Sequence, residues 1–220
     1  MNTITKTDAL TYLSTNPVYD YVVLSPSDFG QLIYKGQIVN PDKAGIIHYE
    51  QFLDELVRYI RPKSGYVSCI ITDRKHNGKI ISRQNMFVKE FLSHGWEIHT
   101  RKIWAHSLKT NLYRLTFSEV ITFCKKPELA STPTDMFRPD VWLIESPKVE
   151  KEISHHGVLP EVLLSRLITT YTKPNDIVLD PFCGSGSTLV VAKQLSRNYL
   201  GCEIDDKMFN LAESNVKGVL

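Results

Sequence analysis

The sequence predicts an α/β protein built on a mixed, mostly parallel sheet with helices on both faces. Three observations carry this. Apolar runs alternate with amphipathic segments along the chain. The runs YDYVVLS and GYVSCIIT are apolar nearly throughout, as strands covered on both faces are. A third run, DIVLD, leads straight into a glycine turn and a helix.

The elements follow in order. YDYVVLS reads as a buried strand. HYEQFLDELVRYIRP places Phe52, Leu53, Leu56, Val57 and Ile60 on one helical face, and Pro62 marks its end. GYVSCIIT is the second buried strand. RQNMFVKEFLSHGW is a helix with Gly95 just past its end. EIHTRKIWA and SEVITFCKK alternate like paired strands. Residues 127–151 are irregular and hold several prolines. LPEVLLSRLITTYT is an amphipathic helix, DIVLDPFCGSGSTLVVAKQL a strand, turn and helix, NYLGCEID a strand, and DKMFNLAESNV a short helix.

A chain of 220 residues is enough for one good core and hardly for two. One domain over residues 1–220 is expected. It divides into a first half, 1–126, a short connection, 127–151, and a second half, 152–220. Hydrophobic content of 42% and charged content of 23% exclude a disordered chain. A net charge of +2 names no partner, so any basic surface must be local. No apolar run reaches the length of a membrane span, and the polar N-terminus lacks a signal-peptide core. A cytoplasmic protein is expected. Cys69, Cys124, Cys183 and Cys202 are far apart and form no CxxC pair, so reduced thiols are expected rather than disulfides or a metal site. His155 and His156 adjoin, but no third ligand is evident.

The stretch VLDPFCGSGST carries the clearest chemistry. A strand ends at Asp180, and Gly184 and Gly186 form a tight turn before a helix that begins near Ser187. Glycines let the backbone approach a ligand, and the helix N-terminus offers free N–H groups. Glu203 ends the next strand. In a Rossmann-like sheet that acid sits beside the first turn and accepts hydrogen bonds from a ribose. The turn lacks the Gly-Lys-Ser/Thr of a P-loop. A nucleoside ligand fits better than NAD; an ordinary strand–turn–helix is the alternative.

DPFCGSGST followed by YLGCEID resembles the S-adenosylmethionine site of the amino-methylating DNA methyltransferases. The resemblance is to the permuted branch, in which the catalytic motif precedes the cofactor motif. SHHGVLPEVLLSRLI, YEQFLDELVRYIRPKSGYVSCIITDRKHNGK, GWEIHTRKIWAHS, LTFSEVITFCKKPE and RPDVWLIES are similar to further family segments in the same order. It implies the Rossmann-like fold of S-adenosylmethionine-dependent methyltransferases and a DNA-methylating activity of the restriction–modification kind. Asp180, Phe182, Gly184, Gly186, Ser187 and Glu203 would bind S-adenosyl-L-methionine. His155 and Pro160 fall on positions of a loop and helix that line the methionine pocket.

The same resemblance gives the loop Ser25-Pro26-Ser27-Asp28-Phe29 its meaning. The family's loop is Asp-Pro-Pro-Tyr for adenine N6, and often Ser-Pro-Pro-Tyr or Ser-Pro-Pro-Phe for cytosine N4. Its first side chain and the proline carbonyl accept hydrogen bonds from the target amine, and its aromatic stacks on the flipped base. Ser25 and Pro26 match the cytosine form. Ser27 replaces the second proline, Asp28 takes the aromatic position, and Phe29 follows one residue late. The expectation is that Phe29 stacks. The alternative is a fold kept without catalysis, acting by binding DNA or an active partner. Asp28 is either a further acceptor for the amine or a solvated turn residue.

Two basic clusters are candidates for DNA contact: Arg74, Lys75, His76, Lys79 and Arg83 about an Asn77-Gly78 turn, and Arg101, Lys102, His106, Lys109 and Arg114. Trp104 and Trp142 are expected to pack rather than stack on bases. The short 127–151 connection leaves little chain for target recognition, so a homodimer or second subunit is an expected source of contacts.

Overall fold

The computed structural model describes residues 2–106, 115–125, 139–147 and 158–219. In chain order it contains β1 (Thr3–Lys6), α1 (Ala9–Ser14), β2 (Tyr21–Leu24), β3 (Ile33–Tyr34), β4 (Gln37–Ile38), α2 (Lys43–Tyr59), β5 (Tyr66–Ile71), β6 (Arg74–His76) and β7 (Lys79–Ile81). There follow α3 (Arg83–Ser93), β8 (Glu97–Ala105), β9 (Phe117–Cys124), β10 (Val141–Leu143), α4 (Glu161–Tyr171), β11 (Ile177–Asp180), α5 (Ser187–Gln194), β12 (Asn198–Glu203) and α6 (Asp206–Lys217).

Eight strands form one sheet in the order β1-β12-β11-β2-β5-β9-β8-β10. β9 pairs antiparallel with both neighbours, and every other pairing in this sheet is parallel. The expected mixed, mostly parallel α/β architecture is therefore the one the chain adopts.

Strand alternation sorts the core into two layers. Val22 and Leu24 of β2 face the layer formed by α1, α2 and α3, with Leu13, Phe52, Leu56, Phe87 and Phe91. Tyr21 and Val23 face the opposite layer, with Leu163, Leu167 and Ile168 of α4 and Val191 of α5. All four β2 residues are buried, which is why the run reads as continuously apolar. Among the described residues, no helix is long and apolar enough to cross a membrane.

β1 and the β3–β4 hairpin carry no sequence pattern that would announce them. β1 is a polar edge strand, TITK, with mostly exposed residues. Its register is supplied by β12 rather than by its own hydrophobicity. The hairpin β3–β4 turns on Lys35 and Gly36, both at positive φ (50° and 75°), the geometry of a type I′ turn. The hairpin β6–β7 turns the same way on Asn77 (48°) and Gly78 (73°).

Candidate active site

From β11 the chain proceeds to β12 on one side of the sheet; from β2 it proceeds to β5 on the other. Loops leaving the carboxyl ends of β11 and β2 therefore part, and a crevice opens between them. It is a cleft of about 1430 Å³. Its walls are Ser25–Gly30 after β2, Thr72–Lys75 after β5, and Trp104 and His106 about the end of β8. Phe182 and Gly184 after β11, and Glu203–Asp205 after β12, complete it. A smaller cavity adjoins it, bordered by Asp180, Phe182, Gly184, Ser187 and Thr188, and Ser25 lines both.

The turn after β11 is held by two acids, Asp180 at the end of β11 and Glu203 at the end of β12. Asp180 is 2% exposed, and its Oδ1 accepts the Phe182 amide at 3.0 Å. Burial raises its carboxyl from 3.8 to about 6, partly offset by hydrogen bonds from Thr188 and the Phe182 amide, with the nearby Glu203 charge pushing the same way as burial. Glu203 Oε2 accepts the Gly184 amide at 2.9 Å, and Oε1 accepts the amides of Ile204 and Asp205, both at 2.9 Å. A carboxylate has about four lone-pair sites. Three are engaged, so one remains for a ligand hydroxyl. Gly184 sits at φ 52° and Gly186 at φ 85°. Gly186 is the N-cap of α5 and supplies no side chain there. A Cβ on it would lie 3.1 Å from Ala212 of α6, so that glycine also permits helix packing.

The loop after β2 is held by ions. Asp28 Oδ1 accepts the Phe29 amide at 2.7 Å, and Oδ2 accepts from Arg74 at 2.9 Å. Arg83 is 5% exposed and donates to the Pro26 carbonyl at 2.8 Å and the Ser27 carbonyl at 3.2 Å. Across the cleft, burial pulls the His106 imidazole below its ordinary value.

The family model N6_N4_Mtase, a DNA methylase, matches residues 46–214. The chain belongs to this DNA methylase family. It is 38% identical over 96 residues to the type II methyltransferase M.BglII of Bacillus subtilis, covering 43% of this chain and 27% of that protein. It is 44% identical over 70 residues to M.HinfI of Haemophilus influenzae, covering 32% of this chain and 20% of that protein. The match thus spans less than a third of either relative. Among solved structures, the cytosine-N4-specific PvuII DNA methyltransferase superposes with a TM-score of 0.80 at 15% identity, covering 97% of this chain and 86% of that one. TTHA0409 of Thermus thermophilus, a putative DNA modification methylase complexed with S-adenosyl-L-methionine, gives 0.74 at 20% identity, covering 100% and 95%. At these identities the structural likeness establishes the shared fold.

In this chain the structure brings Ser25, Pro26, Asp28, Phe182, Gly184 and Glu203 to one cleft. Asp180 and Ser187 border the adjoining cavity. Three expectations are corrected. Phe29 is 2% exposed and its ring packs on Tyr49 at 4.8 Å, so it is a core residue and not a free platform for a base. Pro160 is the buried N-cap residue of α4, and Val158 and Leu159 line the cleft in its place. Arg83 is buried under the loop and does not belong to a surface basic cluster. Asp28 stands on the cleft wall with its side chain 29% exposed, and its two oxygens accept from the Phe29 amide and Arg74. In the second basic cluster, Arg101 pairs with Glu119 at 2.9 Å and Lys102 with Asp140 at 2.8 Å. Trp104 and Trp142 are buried as expected, although Trp104 also borders the cleft. His155, His156, Lys109 and Arg114 lie outside the described residues. Sequence reasoning missed Tyr49 and the role of Arg83, since residue type alone does not tell a buried cation from a surface one.

Proposed function

We propose that the protein transfers a methyl group from S-adenosyl-L-methionine to an exocyclic amine of a flipped base in DNA, with cytosine N4 ahead of adenine N6. The observation that carries this reading is the shared cleft: Ser25 and Pro26 line the same space as Phe182, Gly184 and Glu203. The site fits the cofactor. The glycine turn leaves the N-terminus of α5 without a side-chain cap, and Glu203 keeps one acceptor position for a ribose hydroxyl. When bound, S-adenosyl-L-methionine supplies an electrophilic methyl group. The chain's own part is orientation. The Ser25 hydroxyl and the Pro26 carbonyl accept hydrogen bonds from the amine, whose lone pair is otherwise delocalised into the ring. The serine at position 25 favours cytosine. Residues 1–220 act as one methyltransferase unit in the cytoplasm, and a second copy or subunit supplies contacts for target recognition.

A second reading is a methyltransferase fold that binds DNA or an active partner without catalysis. The buried Phe29 ring and the ion-paired Asp28 favour it. Incubation with labelled cofactor and DNA, followed by nucleoside analysis, separates the two. N4-methylcytosine supports the first reading, N6-methyladenine corrects its target, and no labelled nucleoside on any DNA tested leaves the second.

A further inference from the structure

We infer that Arg83 is a positioning residue that fixes the Pro26 carbonyl for the target amine, an inference that rests on the proposed methyl transfer. Arg83 opens α3 and gathers three separate segments. The two Nη2 hydrogens are shared among the Pro26 carbonyl at 2.8 Å, the Tyr49 hydroxyl at 2.8 Å and the more distant Ser27 carbonyl at 3.2 Å. Nε donates to Tyr49 at 3.0 Å, and Nη1 to the Thr72 carbonyl at 3.2 Å. Asp28 Oδ1 lies 3.6 Å from Nη1.

Burying a guanidinium is unfavourable unless its donors are satisfied. Here they are satisfied largely by carbonyls at the ends of two neighbouring strands. A lysine has no planar fork to span them. A carbonyl oxygen has two lone pairs. With one of them held by Arg83, the plane of the Pro26 carbonyl is set, and so is the direction left for an incoming N–H. The sequence explains why the loop needs this. Ser27 stands where a second proline would fix φ, so rotation about the Ser27 N–Cα bond lacks that internal restraint. Arg83 grips the carbonyls on both sides of it.

The test uses the full chain carrying Arg83→Gln or Arg83→Lys, each alone and with Ser27→Pro. Single-turnover methyl transfer, cofactor affinity by calorimetry and melting temperature are measured together. Arg83→Gln is expected to lower the transfer rate about 100-fold, the scale of a small misplacement of reacting groups, while cofactor affinity is unchanged. Arg83→Lys should lose less, and Ser27→Pro should restore part of the rate. Should Arg83→Gln fail to fold, Arg83→Lys carries the test. An unchanged rate, or a rate that falls only in step with cofactor affinity and melting temperature, overturns the inference. If the wild type transfers no methyl group, the underlying reading fails, and hydrogen exchange decides the positioning claim. In Arg83→Gln and Arg83→Lys alone the Ser27 and Asp28 amides should then exchange faster with β11 unchanged, and equal exchange overturns it.

Discussion

The Gly184 amide donates to the Glu203 carboxylate at 2.9 Å, joining the turn after β11 to the end of β12. With the Ile204 and Asp205 amides on its other oxygen, Glu203 organises the site before any ligand arrives. Glu203→Ala removes the acceptor for all three amides and should weaken cofactor binding by roughly 1–3 kcal/mol. Glu203→Gln should do little better, because its amide nitrogen meets the Gly184 N–H or those of Ile204 and Asp205. Calorimetry showing wild-type affinity in Glu203→Gln would count against this.

Asp180 makes a prediction about pH. Its carboxyl is raised from 3.8 to about 6 by burial. Below about pH 4 both folded and unfolded chains hold the proton, and the burial cost is absent. Between about pH 4 and 6 the unfolded chain releases it first, so this group's contribution to stability falls as pH rises. Above that window the cost is fully present, on the order of 3 kcal/mol. Asp180→Asn keeps an acceptor for the Phe182 amide and does not ionise. Its stability relative to wild type should therefore grow across the window and then level off. Urea denaturation at several pH values reads this, and a constant difference would sink it.

Phe29→Ala should act on stability. Its ring is buried against Tyr49, and truncating a core phenylalanine costs about 3–5 kcal/mol. Phe29→Leu should recover most of that. A Phe29→Ala protein of wild-type stability with abolished methyl transfer would restore the stacking role that the structure withdraws.

Arg74 and Lys75 border the cleft at the β6–β7 hairpin. Replacing both with alanine should weaken DNA binding to all sequences and flatten the salt dependence, by about one in slope for each phosphate no longer neutralised. Arg74 is shared with Asp28, so Asp28→Asn should free it and steepen the slope. Filter binding across a salt series measures both.

How far the sequence can be read follows from where its information lies. β2, β5 and β11 are largely buried on both faces, so their composition alone identifies them. The glycine turn and Glu203 are legible because positive φ and a strand-end acid leave marks in residue type and spacing. β1 leaves none, since its partner strand rather than its side chains defines it. The loop after β2 is legible in its first two residues and not beyond them. Phe29 looks the same in sequence whether its ring faces the cleft or Tyr49, and Arg83 looks the same whether it meets phosphate or the Pro26 carbonyl.

The loop itself gives the last prediction. Restoring proline at Ser27 and tyrosine at Asp28 should raise methyl transfer, or create it if the wild type has none. Proline restrains φ beside the Pro26 carbonyl. Tyrosine places a ring at a half-buried position on the cleft wall, where a stacked base gains roughly 1–3 kcal/mol. The exchange has a cost, because Asp28 accepts from both the Phe29 amide and Arg74, and both donors lose that partner. Asp28→Tyr alone should therefore destabilise the loop, and the added proline should compensate by limiting its unfolded freedom. Single-turnover rates for wild type, both single variants and the double variant form a cycle that reads this coupling. A double variant that binds cofactor and DNA yet transfers no faster than wild type would show that the altered loop residues do not limit the reaction.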